Sequence, residues 1–220
     1  MSDDENPANI ASIKAKLIAS KQKWAREGRL LTGKAGEDRL PPGQRLVRDW
    51  PVLDLGLQPD VPLATWRLRI DGQVNNPVEW DWAAFQAQPQ MDDVSDIHCV
   101  TSWSRYDNHW TGVAARHVVE LAKPHSEVNH VIFHSHDGYT TNVTLEQFTA
   151  PDVVLAHAWE GKPLTREHGG PVRIIMPQYY FWKSAKWVQR IEFAAIDRPG
   201  FWEVRGYHNN ADPWTEERYS

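Results

Sequence analysis

One cysteine in 220 residues constrains this chain more than any other single feature. With only Cys99 available, no intramolecular disulfide framework and no four-cysteine zinc or iron–sulfur site can hold the fold together. Stability must come from a hydrophobic core, and the material for one is present: 41% of residues are hydrophobic, 24% are charged and 12 are tryptophan. The length suits one sizeable core with at most a short appendage. A formal net charge of -5 gives no global basic field to recruit nucleic acid. Mean hydropathy is -0.59, and no apolar run reaches the roughly 18 residues that a transmembrane helix needs.

The opening Met1-Ser-Asp-Asp-Glu-Asn-Pro7 is acidic and polar, without the basic and apolar regions of a secretory signal. No Arg-Arg pair occurs, so a twin-arginine export signal is missing too. Together with a lone, reduced cysteine this predicts a cytoplasmic protein. Asn6-Pro7 is a helix-start signal, and Ile10, Ile13, Leu17 and Trp24 follow at near-helical spacing. The spacing predicts an amphipathic helix to about Arg26, with a basic face of Lys14, Lys16, Lys21, Lys23 and Arg26. That face either docks on a membrane or partner or, more simply, is solvated while the helix lies over the main domain. Glycine and proline between Gly28 and Gly43 read as a linker. Residues 1–44 are thus expected to be helix and linker, and 45–220 the functional domain.

Within that domain Trp66–Ile70 alternates like a half-buried strand closed by an Asp71-Gly72 turn. Val94–His98, Val128–Ser135, Val153–Ala156, Arg173–Met176 and Ile191–Ile196 read as further strands. Trp80–Gln88, Val113–Ala122 and Thr144–Phe148 read as short helices. Strands outnumber helices, so the expected class is α+β, mixed and β-rich.

Three segments carry candidate chemistry. Cys99 sits where a strand gives way to a polar, aromatic-flanked loop, Cys-Val-Thr-Ser-Trp103. A buried small hydrophobe, a thiolate nucleophile and a thiolate ligand for a soft metal are all open readings. His134-Ser-His136 ends a strand, so both rings share one face; with Cys99 they make a weak zinc or iron signal. In His168-Gly-Gly-Pro-Val-Arg173 and Lys183-Ser-Ala-Lys-Trp187, glycines allow close backbone approach. Arg173, Lys183 and Lys186 add fixed positive charge, which together reads as an anion-binding turn. Neither a dinucleotide nor a phosphate-loop glycine pattern occurs.

Taken in order, these segments resemble the molybdopterin-binding catalytic domain of the sulfite oxidase family, over about residues 45 to 205. Val47-Arg-Asp-Trp-Pro-Val52 resembles a family stretch that contacts the pterin and supplies an anion-binding arginine. His98-Cys-Val100 resembles the segment whose cysteine ligates molybdenum, and Ser135 falls at another cofactor contact. His168-Gly-Gly-Pro-Val-Arg173 nearly reproduces the family signature His-Gly-x-Pro-Val-Arg, with Ser184-Ala-Lys-Trp187 at the family's distance. Pro199–Tyr207 resembles the small bacterial members.

The resemblance implies molybdenum–molybdopterin as cofactor, with Cys99 as metal ligand. It implies cofactor contacts from Val47, Arg48, Asp49, Trp50, Ser135, His168, Arg173, Ser184, Ala185 and Lys186. It also implies a catalytic set of Arg48 and Arg105 for an anionic substrate, Trp110 as a pocket wall, and His157 as proton donor or substrate contact. The sequence departs from the family at Leu155-Ala-His157, where sulfite oxidases carry a tyrosine, and at Asp49-Trp50, where they carry Asn-His. The implied reaction is two-electron oxygen-atom transfer on a small oxyanion or a sulfur or nitrogen oxide, with an external electron carrier. A non-catalytic pterin carrier or sensor and a mononuclear zinc or iron protein are the alternatives.

Overall fold

The computed structural model describes residues 39–220 and, before them, Ala15, Ile18 and Ala19. The expected N-terminal helix and the linker up to residue 38 lie outside the described residues, those three positions apart. Among the described residues eleven strands form two sheets.

The first sheet is built on a long antiparallel hairpin of β4 (Gln90–Cys99) and β5 (Trp103–Ala114). β1 (Arg45–Leu46) joins the start of β5 in parallel, and β8 (Val154–Trp159) joins its end antiparallel. β10 (Arg173–Ile175) and β9 (Lys162–Pro163) then pair with β8. The second sheet runs β3 (Val78–Asp81), β2 (Arg67–Gly72), β11 (Val188–Ala194), β6 (His130–Ser135), β7 (Thr140–Thr144). Its β2–β11 pair is parallel and the others antiparallel.

Local sequence explains many of these elements. In β2, Leu68 and Ile70 point inward and are buried while Arg67 and Arg69 stay exposed, the period-2 pattern of a strand with one dry face. Helix α1 (Trp82–Gln86) starts where the Asp81 carboxylate accepts the Ala84 N–H at 2.8 Å. Helix α3 (Leu145–Phe148) carries a full capping box between Thr144 and Gln147. Helix α2 (Ala115–Ala122) stops at Lys123, which takes a left-handed conformation with φ 51°.

The α+β, β-rich class is borne out, with two corrections. β5, the longest strand, has no counterpart among the expected elements, because Trp-Ser-Arg-Tyr-Asp-Asn-His-Trp-Thr is too polar to show a dry face. It is fixed by partners on both edges rather than by its own pattern. The helix expected from Trp80 begins only at Trp82, since Val78–Asp81 pairs with β2.

The two faces of β8 show how the molecule is layered. Leu155 joins a core shared with Ile191, Phe193, Val131 and Phe133 of the second sheet. Val154 and Ala156, pointing the other way, join a second aromatic cluster with Ile97, Cys99, Trp103, Trp110, Trp182 and Tyr207. The functional cleft lies on this second side.

Candidate functional site

A tight hairpin loop carries the cysteine. Cys99 closes β4 opposite Trp103, and Val100-Thr101-Ser102 make the turn, with Ser102 at φ 68° and its N–H donating to the Cys99 carbonyl at 3.0 Å. Cys99 is 6% exposed and lines a cleft that is partly open to solvent. Its Sγ lies 3.1 Å from the Thr101 hydroxyl oxygen.

The segment around His168 and Arg173 lines the same cleft. The His168 ring stacks on Trp50, centroids 4.0 Å apart, and is placed by contacts from Nε2 to the Trp50 carbonyl and from Nδ1 to the Thr165 hydroxyl. Burial lowers the His168 pKa, which favours the neutral ring. Gly169 holds φ 102°, and a Cβ there would come within 2.8 Å of the Lys186 side chain. A Cβ at Gly170 would meet the Leu164 carbonyl oxygen at 2.3 Å. Gly169 therefore lets the turn pack against the protein's own 184–187 segment, and Gly170 lets it pack against the backbone at Leu164 and Thr165.

Arg173 is the electrostatic centre of the site. It is 2% exposed and donates to the carbonyls of His168 at 2.8 Å and Ser184 at 2.9 Å, beneath the Phe181 ring. Among the described residues no carboxylate pairs with it. Burial pushes its pKa down to about 9, so the guanidinium stays charged at neutral pH. A buried cation costs several kcal/mol (order of magnitude) unless an anion or good dipoles offset it. This one faces a cleft.

The structure brings only some of the expected residues together. Trp50, Cys99, His168, Arg173, Ser184, Ala185 and Lys186 converge on the cleft. Val47, Arg48 and Asp49 precede it in the chain, and Trp110 stands behind it, edge-on to Trp50 at 5.2 Å. None of these four is part of the cleft lining. Arg105 lies beside Arg48, donating to its carbonyl at 3.2 Å, and stacks over Trp159. Ser135 is 1% exposed, with its hydroxyl unpartnered and off the cleft; Asp137 and Tyr139 from the following turn line it instead.

Two expectations need correction. His157 is not at the cleft, because it shares the Leu155 face of β8 and packs edge-on against Trp82 and Phe85 at 5.9 and 6.0 Å. Lys183 supplies no charge to the anion turn. It is fully buried, paired with Glu203 at 2.7 Å and donating to the Asn142 carbonyl.

The zinc or iron alternative also fails on geometry. Among the described residues no three His, Cys, Asp or Glu side chains gather where they could hold a metal ion. His134 instead meets Glu192 at 2.9 Å.

Sequence reading missed Thr101, Trp103, Tyr139, Phe181, Trp182, Trp202 and Tyr207, all on the cleft. The only available signal was aromatic density near the quoted motifs. Aromatic side chains fill cores as readily as they line sites.

The cleft fits the implied cofactor on its own terms. Its lining is largely aromatic and apolar with a few convergent polar groups, as in small-molecule sites. It also joins one soft thiolate donor to a buried, unneutralised guanidinium suited to a phosphate.

The profile of the family described as "oxidoreductase molybdopterin binding domain" matches residues 56–202. The chain is 44% identical over 186 residues to the uncharacterized oxidoreductase YuiH of Bacillus subtilis, covering 83% of this chain and 92% of that one. It is 25% identical over 170 residues to the catalytic subunit MsrP of a protein-methionine-sulfoxide reductase from Campylobacter jejuni. That match covers 67% of this chain and 57% of the relative's length. Among solved structures, the sulfane dehydrogenase SoxCD of Paracoccus pantotrophus shares the fold. Its TM-score is 0.61 at 18% identity, over 72% of this chain and 46% of that one.

The chain belongs to the sulfite oxidase family of molybdopterin-binding oxidoreductase domains. It is a molybdopterin-dependent oxidoreductase with molybdenum–molybdopterin as its cofactor. Among the described residues no helix is long and apolar enough to cross a membrane.

Proposed function

We propose that this oxidoreductase performs two-electron oxygen-atom transfer on a small oxyanion or a sulfur or nitrogen oxide, exchanging electrons with an external carrier. The observation that carries the reading is that Cys99 and the unneutralised Arg173 face one cleft. The names of two relatives, a methionine-sulfoxide reductase and a sulfane dehydrogenase, support a sulfur-centred substrate.

When bound, molybdenum–molybdopterin supplies the two-electron redox chemistry. Cys99 is the protein's ligand to the metal. Arg173 and Lys186 receive the pterin phosphate, and the backbone of 184–186 with His168 orients it. Trp50, Phe181 and Trp182 exclude water from the aromatic wall, which strengthens each charge–charge contact inside. Arg48, exposed two residues ahead of Trp50, and Arg105 attract an anionic substrate.

Protein produced in a molybdate-supplied, cofactor-making host tests this, wild type beside Cys99→Ala. Near-stoichiometric molybdenum and pterin, loss or alteration of the metal centre in the variant, and turnover of a sulfoxide or oxyanion are the expected results. Full molybdenum loading with no reduction or oxidation by any such substrate overturns the proposed reaction.

A further inference from the structure

The hydroxyl of Thr101 points at the sulfur of Cys99, and the loop that holds it is clamped from three sides. Thr101 Oγ1 lies 3.1 Å from Cys99 Sγ, on the cleft that both residues line. The Cys99 carbonyl accepts from Ser102 N–H at 3.0 Å and from Gln44 Nε2 at 3.1 Å. Arg218 reaches in from the C-terminal segment, donating to the Val100 carbonyl at 2.6 Å and to the Ser102 hydroxyl at 3.2 Å. These bonds fix the backbone on both sides of Thr101, so its hydroxyl stays within reach of the sulfur.

With a free thiol either atom can donate. A metal-bound thiolate has no proton, so the hydroxyl must be the donor. A hydrogen bond to a ligand sulfur draws electron density away from the metal, and such bonds help set reduction potentials at thiolate-ligated centres.

We infer that Thr101 is a positioning and tuning residue, whose hydroxyl donates to the Cys99 thiolate and raises the reduction potential of the bound metal. This rests on Cys99 being the metal ligand. The test is a redox titration of the molybdenum(V) paramagnetic resonance signal in purified holoenzyme, with metal content measured alongside. Thr101→Val keeps the shape and removes the donor. It should lower the potential by the equivalent of about tenfold in the one-electron equilibrium, about 59 mV, with molybdenum content unchanged, while Thr101→Ser stays near wild type. A Val variant at the wild-type potential, or a Ser variant that falls as far as Val, overturns the inference. Should the Val variant load poorly, Thr101→Ala is titrated in its place and reads the same way. Cys99→Ala in parallel separates the two ideas: a spectrum identical to wild type would remove the ligand assignment itself, and this inference with it.

Discussion

The Trp50 indole and the His168 imidazole lie face to face, 4.0 Å between ring centroids and 22° between planes, although 118 positions separate them in the chain. This stack joins the segment that follows β1 to the anion turn. Trp50 also meets Trp110 and Trp159 edge-on at 5.2 and 4.9 Å. Removing it would open a cavity at the base of the cleft. Trp50→Ala should therefore destabilise the cofactor-free protein by about 3–5 kcal/mol, read from the urea unfolding midpoint, with Trp50→Phe losing much less.

Arg173→Met keeps side-chain bulk and removes the charge. Charge-assisted hydrogen bonds are worth about 1.5–3 kcal/mol, so cofactor retention should weaken by roughly ten- to a hundredfold. Molybdenum and pterin carried through gel filtration give the measurement. Retention equal to wild type would show that the guanidinium is purely structural.

The Lys183–Glu203 pair sits beneath the cleft wall. Glu203 also accepts from the Trp182 indole N–H at 3.0 Å and the Thr141 hydroxyl at 2.9 Å. Lys183→Met alone strands a buried carboxylate and should cost about 3–5 kcal/mol. The double variant Lys183→Met/Glu203→Leu should recover only part of that loss, because the Trp182 N–H and the Thr141 hydroxyl then lose their acceptor. Equilibrium unfolding of both variants decides it, and equal losses would mean the charges are not coupled.

His157 gives a pH prediction. Burial against Trp82 and Phe85 lowers its pKa in the folded protein below the ordinary 6.5. Between the folded and unfolded values the unfolded chain binds more protons, so stability falls as pH drops below about 6.5. His157→Phe should flatten that acid limb and leave turnover unaltered, since the ring is away from the cleft. Unfolding midpoints from pH 7 to pH 5 (set by the experimenter) check the first part, and steady-state rates the second.

The family, its cofactor and most of the motif residues that line the cleft were legible in the chain because they lie in compact runs. His168–Arg173 and Ser184–Lys186 each place two or more cleft-lining residues within a few positions, so a linear motif captures them. The α+β class was legible for a similar reason, since β2 and most of β11 show buried-face alternation in their own residues and β6 is a short apolar run.

What the chain alone determined, then, was local: strand periodicity, helix caps, a single cysteine and a cationic turn. Tertiary structure decided which side of each strand faces the cleft. Moving one residue along β8 turns Ala156 toward the aromatic cluster and His157 away from it, a choice set by sheet packing. It also decided that Lys183 is withdrawn from the cleft: Glu203, twenty residues later and on another element, neutralises it. Charge compensation and strand facing depend on neighbours distant in the chain, and only the folded molecule brings those neighbours together.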